Sequence, residues 1–186
     1  QQQHDSSRLF PGLWGLWLCY LVRAEVTEAR ALGEQLVAFA QQAQDPALLL
    51  QASNALGTTF YHRGEFPAAR EQVERGVSVY RADLHHSLTF LYGGEDPGVV
   101  CSCLLALTLW MLGYPDRAEK QLHEAKALAQ SLTHPFSIAD VHGFAAVLSQ
   151  YRRQPIETLA HAEALLALAE AEGFPYWHAA GLMLRG

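Results

Sequence analysis

Nine histidines, three cysteines and nineteen acidic residues are the groups in this 186-residue chain that could ligate a metal, attack an electrophile or move a proton. His85 and His86 are adjacent, Glu119 and His123 stand one helical turn apart, and His134 and His142 straddle an expected helix start. None of these forms an H-E-x-x-H or a paired Cys/His spacing, and a metal needs three or four converging ligands. Cys101 and Cys103 are two residues apart on an expected helix, about 200° around its axis, so they point to opposite faces and cannot chelate together. The run Gly93-Gly94-Glu95-Asp96-Pro97-Gly98 is glycine-rich but lacks the Lys-Ser/Thr ending and the preceding strand of a phosphate loop. It reads as a turn followed by an N-capped helix. No nucleophile elbow accompanies the serines. The expectation is a protein with no catalytic residue, no metal and no cofactor.

Thirteen Lys and Arg against nineteen Asp and Glu leave a formal charge of −6, and no basic cluster offsets it, which argues against a nucleic-acid partner. Half the residues are hydrophobic and 17% charged, the composition of a folded globular chain rich in helix formers. The longest apolar runs, Leu13 to Val22 and Leu104 to Gly113, are about half of what a membrane-spanning helix needs. The first is also a poor secretory signal, since Asp5 sits where positive charge belongs and no small-residue cleavage site follows. An odd number of cysteines fits a reducing compartment, so the expected location is the cytoplasm and no membrane partner is expected.

The elements that would position any site are marked by proline. Pro11, Pro46, Pro67, Pro97, Pro115, Pro135, Pro155 and Pro175 divide the chain, the last four steps being 18, 20, 20 and 20 residues. Proline is tolerated in the first turn of a helix and breaks its interior, so each reads as a helix start. Asp45 and Asp96 precede Pro46 and Pro97 as N-caps, while Gly64, Gly113 and Gly173 fall where helices end. Nine helices are expected, near 10–23, 26–43, 46–63, 66–81, 97–112, 115–131, 135–152, 155–172 and 175–185, with no strand. Ala29, Leu32, Leu36, Val37 and Ala40 form one apolar stripe of the second.

The chain also repeats internally. Leu56-Gly57-x2-Phe60-x3-Gly64-Glu65-Phe66-x2-Ala69 aligns with Leu105-Ala106-x2-Leu109-x3-Gly113-Tyr114-Pro115-x2-Ala118, and weaker copies end at Ala29 and Thr158. Positions 29, 69, 118 and 158 are separated by 40, 49 and 40 residues; the first copy lacks the turn glycine and the fourth has Arg153 there. The pattern resembles the tetratricopeptide repeat, with small residues at a helix crossing, an aromatic, and a glycine at the turn. The resemblance implies an all-α, right-handed superhelix of antiparallel hairpins, with repeats at 10–43, 46–81, 97–131 and 135–172 and a partial fifth at 175–186. These make one helical-repeat domain, 1–186, and a fragment of a longer protein. The hairpins should cross near Gly57/Ala69 and Ala106/Ala118.

Longer stretches carry a second resemblance. Gly15-Leu16-Trp17 to Arg23-Ala24-Glu25, Asp45-Pro46-Ala47-Leu48-Leu49, Phe90 to Val99, Leu109 to Asp116 and His134-Pro135-Phe136-Ser137 resemble the C-terminal repeat region of bacterial multidomain signalling ATPases, often fused to class III adenylate or guanylate cyclase domains. What this implies is a non-catalytic protein-protein interaction and regulatory module. The alternative is a ligand-sensing repeat domain binding a small molecule or peptide in its concave groove. By the repeat consensus that groove is lined by Trp14, Leu18, Asn54, Thr58, Tyr61, Leu107, Trp110 and Tyr151, among other positions. None of these is cationic, which favours an apolar protein or intramolecular domain partner over a peptide carboxylate. The same aromatic stripe reads equally as core. The surplus around residues 83–92 is either a binding-side insertion or a spacer tucking Leu88, Phe90, Leu91 and Tyr92 over a neighbouring helix. Trp177, Leu182, Met183 and Leu184 are expected at an apolar C-terminal edge that a second copy could cover as a homodimer.

Overall fold

In the computed structural model the described residues are 2–186, with side chains described from Leu9 onward. They are all-helical: α1 (Gln2–Val22), α2 (Val26–Ala43), α3 (Pro46–His62), α4 (Phe66–Val79), α5 (Ala82–His85), a 3-10 turn (His86–Phe90), α6 (Pro97–Met111), α7 (Pro115–Leu132), α8 (Pro135–Tyr151), α9 (Pro155–Glu172) and α10 (Pro175–Arg185). No strand occurs among the described residues. The chain divides into two compact units, Gln1–Cys101 and Ser102–Gly186, with the boundary inside α6.

Seven of the eight prolines open a helix as their spacing predicts, and Asp45 caps α3 by accepting from the amides of Ala47 and Leu48 at 2.8 and 3.3 Å. Pro11 is the exception, lying inside α1. A proline there removes one intrahelical hydrogen bond, and α1 nonetheless continues through it. Phe10, Trp14 and Trp17, on both sides of Pro11, bury as one face.

The repeat is written in the backbone of the hairpin turns. Ala24, Gly64, Gly113 and Arg153 all have positive φ, between 57° and 83°. The following amides, of Glu25, Glu65, Tyr114 and Gln154, each donate five residues back, to the carbonyls of Tyr20, Phe60, Leu109 and Ser149, all at 2.9 Å. One turn geometry is thus used four times at the predicted 40, 49 and 40 spacing, including the two copies without glycine. Hairpin-to-hairpin connections use a second left-handed residue, at Gln44, Thr133 and Gly173.

In the first unit α1, α2, α3 and α4 pack in consecutive antiparallel fashion. The α3–α4 crossing sits one turn from the predicted register: a Cβ on Gly57 would lie 2.6 Å from Val73 Cγ1, while Ala69 packs beside Leu56 and Phe60. The α2 stripe is buried at Ala29, Leu32, Leu36 and Ala40, with Gly33 pressed against Leu56. Trp17 donates its indole N–H to Thr59 Oγ1 at 2.9 Å, joining α1 to α3. The insertion is neither of the expected extremes. Tyr92 is buried against Phe10 and Trp14 and Leu88 packs on the same cluster, whereas Phe90 and Leu91 are exposed.

In the second unit α8 and α9 form a hairpin on which α10 packs as the start of a further repeat. A Cβ on Gly143 would collide with the Trp177 ring, and one on Gly181 would lie 2.8 Å from Leu166 Cγ. Trp177 and Leu184, expected at an exposed C-terminal edge, are therefore core. The edge that remains open carries Tyr176, Leu182 and Met183. The physical reason is a reciprocal fit: the Trp177 ring of α10 enters the space at Gly143 of α8, Leu166 of α9 enters the space at Gly181 of α10, and Leu184 is buried in the same cluster.

Candidate functional site

Two clusters gather the polar chemistry. The first surrounds Asp96, a carboxylate with no exposed surface. Its Oδ1 accepts from the amides of Gly98 and Val99 at 3.0 and 3.1 Å, the cap expected from the glycine-rich run. Its Oδ2 accepts from the Tyr80 hydroxyl at 3.0 Å and meets His86 Nδ1 at 2.8 Å. Burial, with the Asp96 charge adding to it, drives the Tyr80 phenol far above its ordinary pKa. Both carboxylate oxygens are occupied by structural partners, so this group closes the start of α6 against the insertion and leaves no oxygen for a reacting atom.

Next to it, Glu95 Oε1 accepts from Asn54 Nδ2 at 3.3 Å, and the Thr58 hydroxyl donates to Asn54 Oδ1 at 3.3 Å. The Glu95 residue keeps part of its surface, but desolvation of its carboxyl pushes the pKa up to about 7; the neighbouring Asp96 charge adds to this and the Asn54 bond opposes it. Two expected groove residues are thus committed to an internal polar chain.

Three of the eight expected groove residues are buried in the core. Trp14 is 4% exposed, with its ring 5.3 Å from that of Trp17 and 5.4 Å from that of Tyr92; Asn54 and Leu107 are also core. Trp14 is covered because the segment after the 3-10 turn folds back over α1, placing Gly93 against the indole edge. Leu18, Thr58, Tyr61 and Trp110 are half-buried and Tyr151 is exposed. The aromatic side chains that keep surface are therefore Tyr61, Trp110 and Tyr151.

The second cluster lies wholly in the second unit, in a cavity of about 130 Å³ walled by α7, α8 and α9. His142 on α8 and His161 on α9 put their Nδ1 atoms 3.2 Å apart. Two lone pairs cannot face each other at that distance, so one Nδ1–H donates to the other ring. Burial lowers the His142 pKa to about 4, helped by His161 and Lys126, and burial followed by Lys126 lowers that of His161. The neutral pair is thus the resting form at pH 7. Lys126, on α7, lines the same cavity, is exposed, and has no acidic partner. His123 also lines it and donates Nδ1–H to the Glu119 carbonyl at 3.1 Å. Leu122, Ile138, Val141 and Ala145 supply the apolar wall. Among the described residues no three His, Cys, Asp or Glu side chains gather as a metal site.

Sequence reasoning passed over this pairing, weighing His142 with His134 instead. The available signal was the hairpin: His142 and His161 stand two to three turns on either side of the Arg153 turn, where antiparallel helices bring residues together.

No protein-family model matches the chain. It is similar to an uncharacterized protein, R02095, of Rhizobium meliloti (strain 1021), at 25% identity over 163 residues. That match covers 88% of this chain and 16% of the relative, so the chain spans about a sixth of the length of the protein it resembles. No helix among the described residues is long and apolar enough to cross a membrane.

Proposed function

We propose that this chain is a non-catalytic helical-repeat module of a larger bacterial signalling protein of the ATPase/cyclase type, cytoplasmic, and that it works by contacting a protein partner or another domain of its own polypeptide. The observation that carries the reading is the fourfold reuse of one turn at Ala24, Gly64, Gly113 and Arg153. Helical hairpins of this kind are scaffolds that offer side chains along a surface; the buried Asp96 carboxylate is spent on an internal cap and Glu95 on Asn54. Similarity to a stretch amounting to 16% of a longer protein supports a modular role. Half-exposed Trp110 and exposed Tyr151 in the second unit and, separately, half-exposed Tyr61 in the first are the anchors, since aromatic residues dominate binding energy at interaction surfaces. The open α10 edge, with Leu182 and Met183, is the surface a second copy would cover.

Cross-linking of the full-length polypeptide, with and without Trp110→Ala, tests this. Contacts to another domain or protein that weaken by about 2 kcal/mol in the variant, with helicity unchanged, agree with the proposal. Cross-links from residues 1–186 that reach only other residues of 1–186 refute it. A second reading, ligand sensing, is favoured by one observation, the cavity that gathers Lys126, His142 and His161.

A further inference from the structure

The His142–His161 pair is unused by any interaction surface, and three features of its cavity point the same way. A lysine with no acidic partner lines it, no carboxylate does, and one wall is aliphatic. An uncompensated ammonium facing a pocket is an anion-attracting centre. The imidazole pair adds a donor supply that grows with the charge it meets. In the neutral pair one ring gives its Nδ1–H to the other, so only the accepting ring has a free N–H, at Nε2. Taking up one proton makes both Nε2 atoms donors while the Nδ1–H···Nδ1 bond is kept. The aliphatic wall of Leu122, Ile138, Val141 and Ala145 matches a short hydrocarbon body.

We propose that the cavity between α7, α8 and α9 is a binding site for a small organic carboxylate, its oxygens on Lys126 and the His142–His161 pair and its hydrocarbon body against the aliphatic wall. This names the ligand class for the sensing reading and rests on that reading alone; the interaction reading does not depend on it. At about 130 Å³ the cavity is well above the roughly 10–15 Å³ that one water needs. The titratable groups lining it are His123 and Lys126 from α7, His142 from α8 and His161 from α9; α10, which also packs on α8 and α9, contributes none. The carboxylates nearest in sequence on α7 are engaged elsewhere, Glu119 with Arg152 and Glu124 with Lys120. A bound anion therefore stabilises the protonated pair, and binding draws in a proton.

The test is titration of the protein with butyrate, inorganic phosphate and 1-butanol, followed by histidine-selective NMR with His142 and His161 assigned through single Gln variants. Measurements run from pH 7.5 down to roughly pH 6, where a carboxyl probe stays almost fully ionised. Saturable butyrate binding should move both histidine signals, and affinity should rise by up to about tenfold per pH unit as pH falls, the limit for one linked proton. Lys126→Met, at an exposed position, should weaken butyrate about tenfold or more without changing the circular dichroism. The proposal is overturned if butyrate does not saturate, if its affinity is independent of pH, or if Lys126→Met binds it as well as wild type. Butanol binding as tightly as butyrate also overturns it, yet leaves a ligand-sensing role standing. Phosphate binding in place of butyrate refutes the organic body and leaves an inorganic oxyanion.

Discussion

Arg153→Gly should stabilise the protein, although it removes a large charged side chain. Arg153 holds φ at +57° in the α8–α9 turn and is exposed. A residue with a Cβ costs about 1–2 kcal/mol in this left-handed region. Glycine removes that cost but returns about 0.4–1 kcal/mol through the greater freedom of the unfolded chain. The net gain is about 0.5–1 kcal/mol, or some 1–4 °C in melting temperature for a chain of this size. Ala24→Gly, at φ +59°, should behave the same way. Gly64→Ala and Gly113→Ala should lose a similar amount, and nothing lies within 4 Å of either new Cβ, so packing cannot mask the effect. Urea unfolding, read as a shifted midpoint with unchanged slope, measures all four. If Arg153→Gly destabilises while Gly64→Ala is silent, the four turns do not share a backbone conformation and the repeat reading fails with them.

Gly57→Ala should cost about 1–3 kcal/mol by overpacking, because its Cβ would sit 2.6 Å from Val73 Cγ1; a wild-type melting curve would place the α3–α4 crossing elsewhere. Ala69→Leu should cost a similar amount against Leu56 and Phe60, measurable in the same urea titration. His142 has a folded pKa below its ordinary 6.5, so the stability tied to its neutral form is present above pH 6.5 and lost as pH falls toward 4; His142→Gln should flatten stability across that window. Glu95 is shifted the other way, from 4.5 to about 7, so its contribution is present below pH 4.5 and lost as pH rises through 7; Glu95→Gln should remove that slope, and an unchanged profile would mean the carboxyl is solvated.

Local backbone rules made most of the helical frame legible from the sequence. A proline at the first turn, an aspartate before it and a glycine at the hairpin act through contacts within a few residues, so their meaning survives without the fold; Asp45, Asp96 and Gly64 behave as read. The spacing of 40, 49 and 40 was equally local, and it located the left-handed turns even where Ala24 and Arg153 replace glycine. What required the tertiary structure was every choice between equivalent faces. Nothing near Pro11 says that α1 continues through it, nor does any short-range rule say that Tyr92 folds back to cover Trp14 while Phe90 and Leu91 stay out. Trp177 looked like an exposed edge until the cleft at Gly143, more than thirty residues away in the chain, received it. The histidine pair depends on the same kind of distant match, the rotation of α8 against α9 that brings two rings to 3.2 Å. Helix periodicity states which residues share a face; only side chains meeting across helices decide which face is buried, which is covered, and which is left to bind.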